Sequence, residues 1–348
     1  HLGAPATACV AVGDTVKVGQ KIGEQAGFIS APIHSSISGT VIAIEDRPHA
    51  TRGTCPSIVV ENDFKDTIHE SVKPNKSLEE LTPAEIIEIV KNAGIVGMGG
   101  AGFPTYVKLK PGKPIEAVLI NACECEPMLT ADHRVLLEQA DDVIYGLKAV
   151  MKAVGSPKGI IVIEDNKPDA IELMQQKVAD IEGMEVCVAK TKYPQGGEKV
   201  LIYHTVGRTV PVGKLPIDVG CIVVNCTTLA AIGEYLTTGM PLVQKCVTVD
   251  GGAVKEPKNV IVPIGTPLSA VFDFCGGLTE DPDKVLYGGP MMGITVPDLS
   301  APVLKNTNAV LALTKKETKL PKTTNCIRCG ACLNTCPFGL APAEIARA

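Results

Sequence analysis

Gly94-Ile-Val-Gly97-Met-Gly99-Gly100-Ala-Gly102-Phe103-Pro104-Thr105 is the stretch on which the reading of this chain turns. A bend this rich in glycine lets backbone amides approach an anion closely, because no Cβ blocks access and positive φ carries no steric cost. A phosphate is the matching ligand. Read as a G-x-G-x-x-G fingerprint the bend fails on context, since a helix and not a strand precedes it. A Walker A loop is excluded because no Gly-Lys-Ser/Thr follows.

The preceding helix is legible in Leu81-Thr-Pro-Ala-Glu-Ile-Ile-Glu-Ile-Val-Lys91. Thr82 is its N-cap, Pro83 takes the first position and Glu85 completes a capping box. After the bend, apolar runs at 116–120, 159–163, 185–189 and 221–224 alternate with helical patterns at 131–153, 168–182 and 228–238. That alternation predicts a mostly parallel sheet with covering helices over 80–240. Three polar loops follow predicted strands: Asn121-Ala-Cys-Glu-Cys-Glu-Pro127, Tyr193-Pro-Gln-Gly-Gly-Glu198 and Val224-Asn-Cys-Thr-Thr228. Carboxyl ends of strands are where α/β sheets place ligands, so these loops and the glycine bend are expected to share one crevice.

Outside this unit the chain changes character. Residues 1–62 are short β-prone runs broken by Gly and Pro, which predicts a small barrel or sandwich. Val12-Gly-Asp-Thr-Val-Lys-Val-Gly-Gln-Lys-Ile-Gly23 and Ala31-Pro-Ile-His-Ser-Ser-Ile-Ser-Gly-Thr-Val41 resemble the hammerheads of biotinyl and lipoyl carriers. The lysine those carriers modify is missing from Ile33-His-Ser-Ser-Ile-Ser38, so a scaffold is expected, with His34 at a surface or turn position. Residues 61–82 read as a polar linker. Strands at Gln244–Val249 and Asn259–Val262 with a helix near Pro267–Cys275 suit a small β-grasp unit over 241–300.

The segment 320–348 carries Cys326-x2-Cys329-x2-Cys332-x3-Cys336-Pro337, the spacing of a ferredoxin-type [4Fe-4S] site. Cys326, Cys329 and Cys332 can close on one cubane, while a fourth cysteine followed by Pro commonly serves another cluster. Zinc sites use two pairs separated by a longer run, which fits less well. With 13 cysteines scattered through 348 residues, a disulfide framework also fits poorly and a reducing compartment fits well. No second C-x2-C-x2-C run is present, so the chain is expected to be a fragment whose full-length form holds two clusters. The single cysteines Cys9, Cys55, Cys187, Cys221, Cys226, Cys246 and Cys275 are expected to be mostly small core residues.

Bulk properties narrow the function further. Hydrophobic residues make up 45%, enough for several cores, and the length suggests two to four units. Aromatics are 3% and net charge is -5, which leaves neither stacking platforms nor a basic footprint for nucleic acid. No apolar run approaches the eighteen or so residues of a membrane helix.

Gly97-x-Gly-Gly-Ala-Gly-Phe-Pro-Thr105 with Lys108 resembles the flavin-binding loop of the NADH-oxidising subunit of respiratory complex I. Glu124-Cys-Glu-Pro-Met-Leu-Thr-Ala-Asp-His-Arg134 and Lys192-Tyr-Pro-Gln-Gly-Gly-Glu-Lys199 are closer to the RnfC family of the Rnf electron-transport complexes. The resemblance spans essentially the whole chain. It implies a multidomain α/β and β architecture: a barrel-sandwich domain, a Rossmann-like FMN-binding domain, a β-grasp domain of SLBB type and the start of a helical [4Fe-4S] domain. It also implies FMN and [4Fe-4S] clusters as cofactors and NADH as substrate. The partners would be the other Rnf subunits at the cytoplasmic face of a membrane and, indirectly, ferredoxin, in a cycle coupled to ion translocation.

By the same resemblance Gly97, Gly99, Gly100, Lys108, Asn225 and Thr228 would hold the phosphate and ribityl chain of FMN. Asn121, Cys123 and Glu124 would approach its ring, with Tyr193 and Gly196 on the other side. Phe103 would stack on the NADH adenine, and Glu126 and Glu198 would contact its sugar and nicotinamide as positioning carboxylates. Cys123 and Cys125 stand where the complex I protein has Asp and Ser, and its second adenine-stacking aromatic is lost near Pro111. Two other readings remain: a soluble relative serving a reductase such as that of proline, and a binding module that has lost its flavin.

Overall fold

The computed structural model describes residues 1–49, 53–336 and 339–348; Pro337 of the cysteine motif lies outside them. The N-terminal strands are β1 (Thr7–Ala8), β2 (Thr15–Val16), β3 (Lys21–Glu24), β4 (Ile33–His34), β5 (Gly39–His49) and β6 (Gly53–Asn62). They form two three-stranded sheets, β1-β3-β4 and β2-β5-β6, around Val16, Ile22 and Val41. The turn at which a carrier would present its lysine is docked instead. Ser36 Oγ donates to the Ile264 carbonyl at 2.5 Å and Ser38 Oγ to Asp63 Oδ1 at 2.6 Å. His34 departs from expectation: its Nδ1 is buried beside Gly94 and Lys305, because the turn packs against two other domains.

Residues 63–82 also differ from a free linker. Leu78 and Leu81 are buried, and Asn75 Nδ2 donates to the Tyr235 carbonyl at 2.8 Å, so apolar anchors spaced among polar residues lay the segment onto the next domain.

That domain begins with α1 (Pro83–Asn92), whose capping box forms as its residue types dictate: Thr82 N donates to Glu85 Oε2 at 2.8 Å and Glu85 N to Thr82 Oγ1 at 3.3 Å. There follow α2 (Thr105–Lys108), β7 (Ala117–Ala122), α3 (Ala131–Glu138), α4 (Ala140–Val154), β8 (Gly159–Glu164), α5 (Pro168–Val178) and β9 (Met184–Ala189). Then come α6 (Glu198–Val206), β10 (Cys221–Asn225) and α7 (Cys226–Thr238). The helical pattern at 131–153 is two helices, broken at Gln139, where φ is -125° and ψ 30°. All four strands are parallel, in the order β10-β7-β8-β9.

Burial on both faces explains the continuous apolar reading of β8, every residue of which is buried. One face carries α1, α3, α4, α5 and α7 over Val118, Ile120, Ile161 and Ile163. The other carries α6 over Leu119, Ile160, Val162 and Val223. Helices α4 and α7 touch closely, since a Cβ on Gly146 would overlap Leu229 O and one on Gly233 would overlap Asp142 O. This contact fixes α7, whose first turn faces the site.

The third domain has β11 (Gln244–Asp250), β12 (Lys258–Pro263), α8 (Leu268–Phe274), β13 (Lys284–Tyr287), β14 (Ile294–Thr295) and β15 (Ala309–Leu313). Its sheet runs β12-β11-β15-β13-β14, so the middle strand comes from beyond residue 300. Phe272 and Leu268 of α8 pack on Val247, Val249 and Val310. The last segment carries the short helices α9 (Ala331–Thr335) and α10 (Pro342–Ile345), with no buried residue in either.

Candidate functional site

Strands β8 and β9 lie to one side of β7 and β10 lies on the other, so the strand order reverses between β7 and β10. Open α/β sheets bind ligands outside the carboxyl ends of the strands at such a switch point. Asn121 and Asn225 are register partners there. Asn225 N-caps α7, its Oδ1 accepting from Thr227 N and Thr228 N, while its Nδ2 donates to Asp132 Oδ2 at 2.7 Å. Thr227 Oγ1 donates to the other Asp132 oxygen at 2.6 Å.

The glycine bend lies over this point. It is closed by Gly97 N donating to Phe103 O at 2.7 Å and Gly102 N donating to Gly97 O at 3.0 Å. It is fastened from outside by Met98 N donating to Thr228 Oγ1 at 2.9 Å, Lys245 Nζ to Met98 O at 3.1 Å and Asn306 Nδ2 to Gly100 O at 2.6 Å. A Cβ on Gly99 would stand 3.1 Å from Asn225 Cβ, and Gly100 has a φ of +121°. Neither the Gly99 nor the Gly100 N–H donates within the described residues, so both amides are available to a ligand.

Charge is arranged around the bend. Glu124 accepts from Asp132 N at 2.9 Å and His133 N at 3.3 Å, so it caps α3. Burial and the neighbouring Asp132 carboxylate raise its pKa. Lys245, on β11, is buried under the bend, and desolvation lowers its pKa to about 8.

Glu126 takes one hydrogen bond from the third domain, Met291 N to Oε2 at 3.1 Å, while its Oε1 is buried with no partner. A cleft of about 670 Å³, open to solvent, is lined by Gly99, Gly100, Glu126, Gly289, Asn306 and Asn308 among others.

The 193–198 loop is hung on β7. Asn121 Nδ2 donates to Gly196 O at 2.8 Å, and a Cβ on Gly196 would stand 2.5 Å from Cys123 O. Tyr193 is exposed, whereas Gln195 is buried with neither amide atom partnered. Glu198 begins α6 and accepts from Lys108 Nζ at 3.1 Å; Lys108 also donates to Val223 O at 3.1 Å.

The residues named from sequence therefore divide. Gly99, Gly100, Asn121, Gly196, Asn225 and Glu126 gather about the switch point or its cleft, and Lys108 and Glu198 form a half-exposed pair beside β10. Gly97 spends its amide inside the bend, and the Thr228 hydroxyl is buried as an acceptor for Met98. Both shape the bend from within. Glu124 holds α3, and Cys123 packs with Leu119, Val162 and Leu201, its thiol pKa pushed up by burial. Glu124 thus has a capping role and Cys123 a core role at the carboxyl end of β7, beside the switch point. Phe103 is half-buried at the end of the bend, and Tyr193 is exposed on its loop.

Residues that sequence reasoning missed come from the third domain: Lys245, Asn306, Asn308 and the loop Gly288-Gly289-Pro290-Met291-Met292-Gly293. The signal for that loop was a second glycine cluster.

Cys326, Cys329 and Cys332 are exposed and Cys336 is half-buried, all as free thiols. No group of three or more His, Cys, Asp or Glu gathers into a metal-holding set among the described residues. The donor chemistry, four unpaired thiols closely spaced, suits an iron–sulfur cluster. Of the single cysteines, Cys221, Cys226, Cys246 and Cys275 are buried, Cys55 and Cys187 half-buried and Cys9 exposed.

FMN is the group against which the crevice is to be tested. Two free amides at small-residue positions suit its phosphate, and an open cleft with unpartnered acceptors Glu126 Oε1 and Asn308 Oδ1 suits a polyol-bearing ligand. The residues fit the group.

Comparison with known proteins agrees. Residues 90–234 match the model of the Nuo51 FMN-binding domain, residues 1–65 the RnfC barrel sandwich hybrid domain and residues 246–295 the SLBB domain. The chain is 48% identical to the C subunit of the Na(+)-translocating ferredoxin:NAD(+) oxidoreductase complex of Acetobacterium woodii, over 99% of this chain and 79% of that protein. It is 46% identical to the C subunit of the proton-translocating ferredoxin:NAD(+) oxidoreductase complex of Clostridium ljungdahlii, over 99% of this chain and 76% of that protein. A solved NAD+-reducing [NiFe]-hydrogenase in the H2-reduced state shares the fold, with a TM-score of 0.56 at 22% identity, over 70% of this chain and 49% of that chain. No helix of the described residues is long and apolar enough to cross a membrane. A chain with this domain order, this crevice and this degree of identity over nearly its full length belongs to the RnfC family of the ion-translocating ferredoxin:NAD+ oxidoreductase complexes.

Proposed function

We propose that this chain is the NADH:FMN electron-input subunit of an Rnf-type complex, seated peripherally at the cytoplasmic face of the membrane beside the other Rnf subunits. In this reading it exchanges electrons between NAD(H) and, through those subunits, ferredoxin, in a cycle coupled to ion translocation. The observation that carries the proposal is the free amides of Gly99, which lies against Asn225 at the β7/β10 switch point, and of the adjoining Gly100.

Bound FMN would supply the chemistry that links two-electron hydride exchange with NAD(H) to single-electron transfer. The chain's own residues do the rest. Gly99 and Gly100 offer amides to the phosphate, and Lys245 and Thr228 hold the bend in the shape that presents them. Asn121 and Asn225 hold the loop edges together, Asn121 through Gly196 O and Asn225 through Asp132. Lys108 keeps Glu198 at the mouth of β10, and the third domain keeps Glu126 at the cleft, so the carboxylates orient a substrate and transfer no proton. Cys326, Cys329, Cys332 and Cys336 would supply thiols for [4Fe-4S] chemistry.

The test is the flavin absorbance of the purified intact protein under anaerobic NADH. Bleaching supports the reading. A retained flavin that dithionite reduces and NADH does not would favour a non-catalytic binding module.

A further inference from the structure

Besides the glycine bend, the cleft is lined by the β-grasp domain, through Tyr287, Gly288, Gly289, Met292, Asn306 and Asn308. This lining is built against Glu126. A Cβ on Gly289 would overlap Glu126 Oε2, and Met291 N donates to that same oxygen at 3.1 Å, so the carboxylate is held from one side only. Its Oε1 is buried and unpartnered. Asn308 Oδ1, on the same cleft, is also buried and unpartnered.

Two buried oxygens that lack donors are costly unless a ligand supplies the missing hydrogens. Both are acceptors, one anionic and one neutral. A phosphate, which brings only acceptors and negative charge at this end, is the wrong partner. A sugar is the right one, because adjacent hydroxyls bring two donors on neighbouring carbons.

We propose that the β-grasp domain forms a functional half of the nucleotide cleft, in which Asn308 Oδ1 and Glu126 Oε1 together accept hydrogen bonds from a vicinal diol. This deepens the reading given under Proposed function and rests on it for the identity of the ligands, FMN and NADH. Both carry such a diol, one on the ribityl chain and one on each ribose. Gly289 and Met291 are positioning residues, acting on the ligand through Glu126.

The experiment uses the intact protein with Asn308→Ala, Asn308→Asp and Gly289→Ala. Flavin retained after dialysis reads the ribityl source; the NADH concentration for half-bleaching, together with calorimetric binding of ADP-ribose, reads the ribose source. Asn308→Ala is expected to weaken one of these by about tenfold, the factor that goes with one lost hydrogen bond. Asn308→Asp, which keeps an acceptor at the same place but sets a second carboxylate beside Glu126, is expected to recover part of the loss. Gly289→Ala is expected to weaken the same ligand by displacing Glu126, even if Asn308→Ala folds poorly.

A loss in flavin retention assigns the diol to FMN, and a loss in NADH or ADP-ribose binding assigns it to the dinucleotide. Asn308→Ala that keeps flavin retention, half-bleaching and ADP-ribose binding within twofold of the parent overturns the proposal. A parent protein that binds FMN and ADP-ribose but is not bleached by NADH contradicts the electron-input function while leaving the Asn308 comparison readable. A parent protein that binds none of the three overturns both.

Discussion

Gly99 lies directly on Asn225: a methyl group at Gly99 would stand 3.1 Å from Asn225 Cβ and 3.2 Å from its Cγ. The bend therefore approaches the sheet's switch point as closely as a residue without a side chain allows. Gly99→Val is expected to lift the bend and abolish flavin retention, measured as flavin per protein after gel filtration. Gly100→Ala should also lose flavin, for a different reason. Open space surrounds Gly100, but its φ of +121° is strained for any residue with a Cβ. Full flavin occupancy in Gly99→Val would place the phosphate elsewhere.

Asn225 ties three things at once: the α7 cap, the Asn121 carbonyl and Asp132. Asn225→Ala should cost about 1 kcal/mol, within the range of roughly 0.5–2 for a lost cap, read from the urea midpoint. Asn225→Asp keeps the cap but sets a second carboxylate against Asp132, so it is expected to protect α7 and still lower flavin affinity. If both variants bind flavin as the parent does, the switch-point residues are scaffold alone.

Lys108 and Glu198 pair at 3.1 Å with side chains 37% and 40% exposed, and solvent-screened pairs of this kind contribute about 1 kcal/mol or less. Lys108→Met is accordingly expected to leave the melting temperature nearly unchanged while raising the NADH concentration for half-bleaching several-fold, since Glu198 is then free to swing. A large melting shift with unchanged NADH response would make the pair structural.

The pH dependence of stability is set partly by Lys305, which donates to Pro32 O at 2.8 Å and Gly94 O at 2.6 Å and so joins all three large domains. Burial lowers its pKa from 10.5 to about 7. Between those values the unfolded chain binds a proton that the folded chain does not, so stability rises with pH and is lost as pH falls toward 7. His34 beside it is lowered from 6.5 to about 3, by burial first and then by the charges of Lys305 and Lys21; its contribution is present above pH 6.5 and lost as pH falls to about 3. Melting curves of Lys305→Met should show a smaller gain between pH 7 and 10 than the parent does, the remainder coming from buried Lys245, whose pKa is lowered to about 8. A parallel pair of curves would contradict this.

Local signals carried far in this chain. The Thr82–Glu85 capping box, the four apolar strands and the glycine bend depend on neighbours within a few residues, and each is where its pattern puts it. What escaped was long-range. Ala309–Leu313 lies beyond the 241–300 bounds read for the β-grasp unit, and only pairing with β11 and β13 makes it the middle strand of the third sheet. Glu124 and Thr228 have side chains suited to a ligand, and their further bonds to backbone N–H groups of α3 and of the bend join residues too far apart in the chain for any local pattern to show. Asn308 and Gly289 reach the site across a domain boundary, and no spacing in the sequence encodes that contact.

The most direct measurement is an anaerobic NADH titration of the intact, FMN-loaded protein, followed in parallel with a Cys329→Ser variant. The account predicts that NADH bleaches the flavin band in both, while the variant alone loses the iron–sulfur absorbance. A stoichiometric flavin left unbleached by NADH in the parent protein would contradict it.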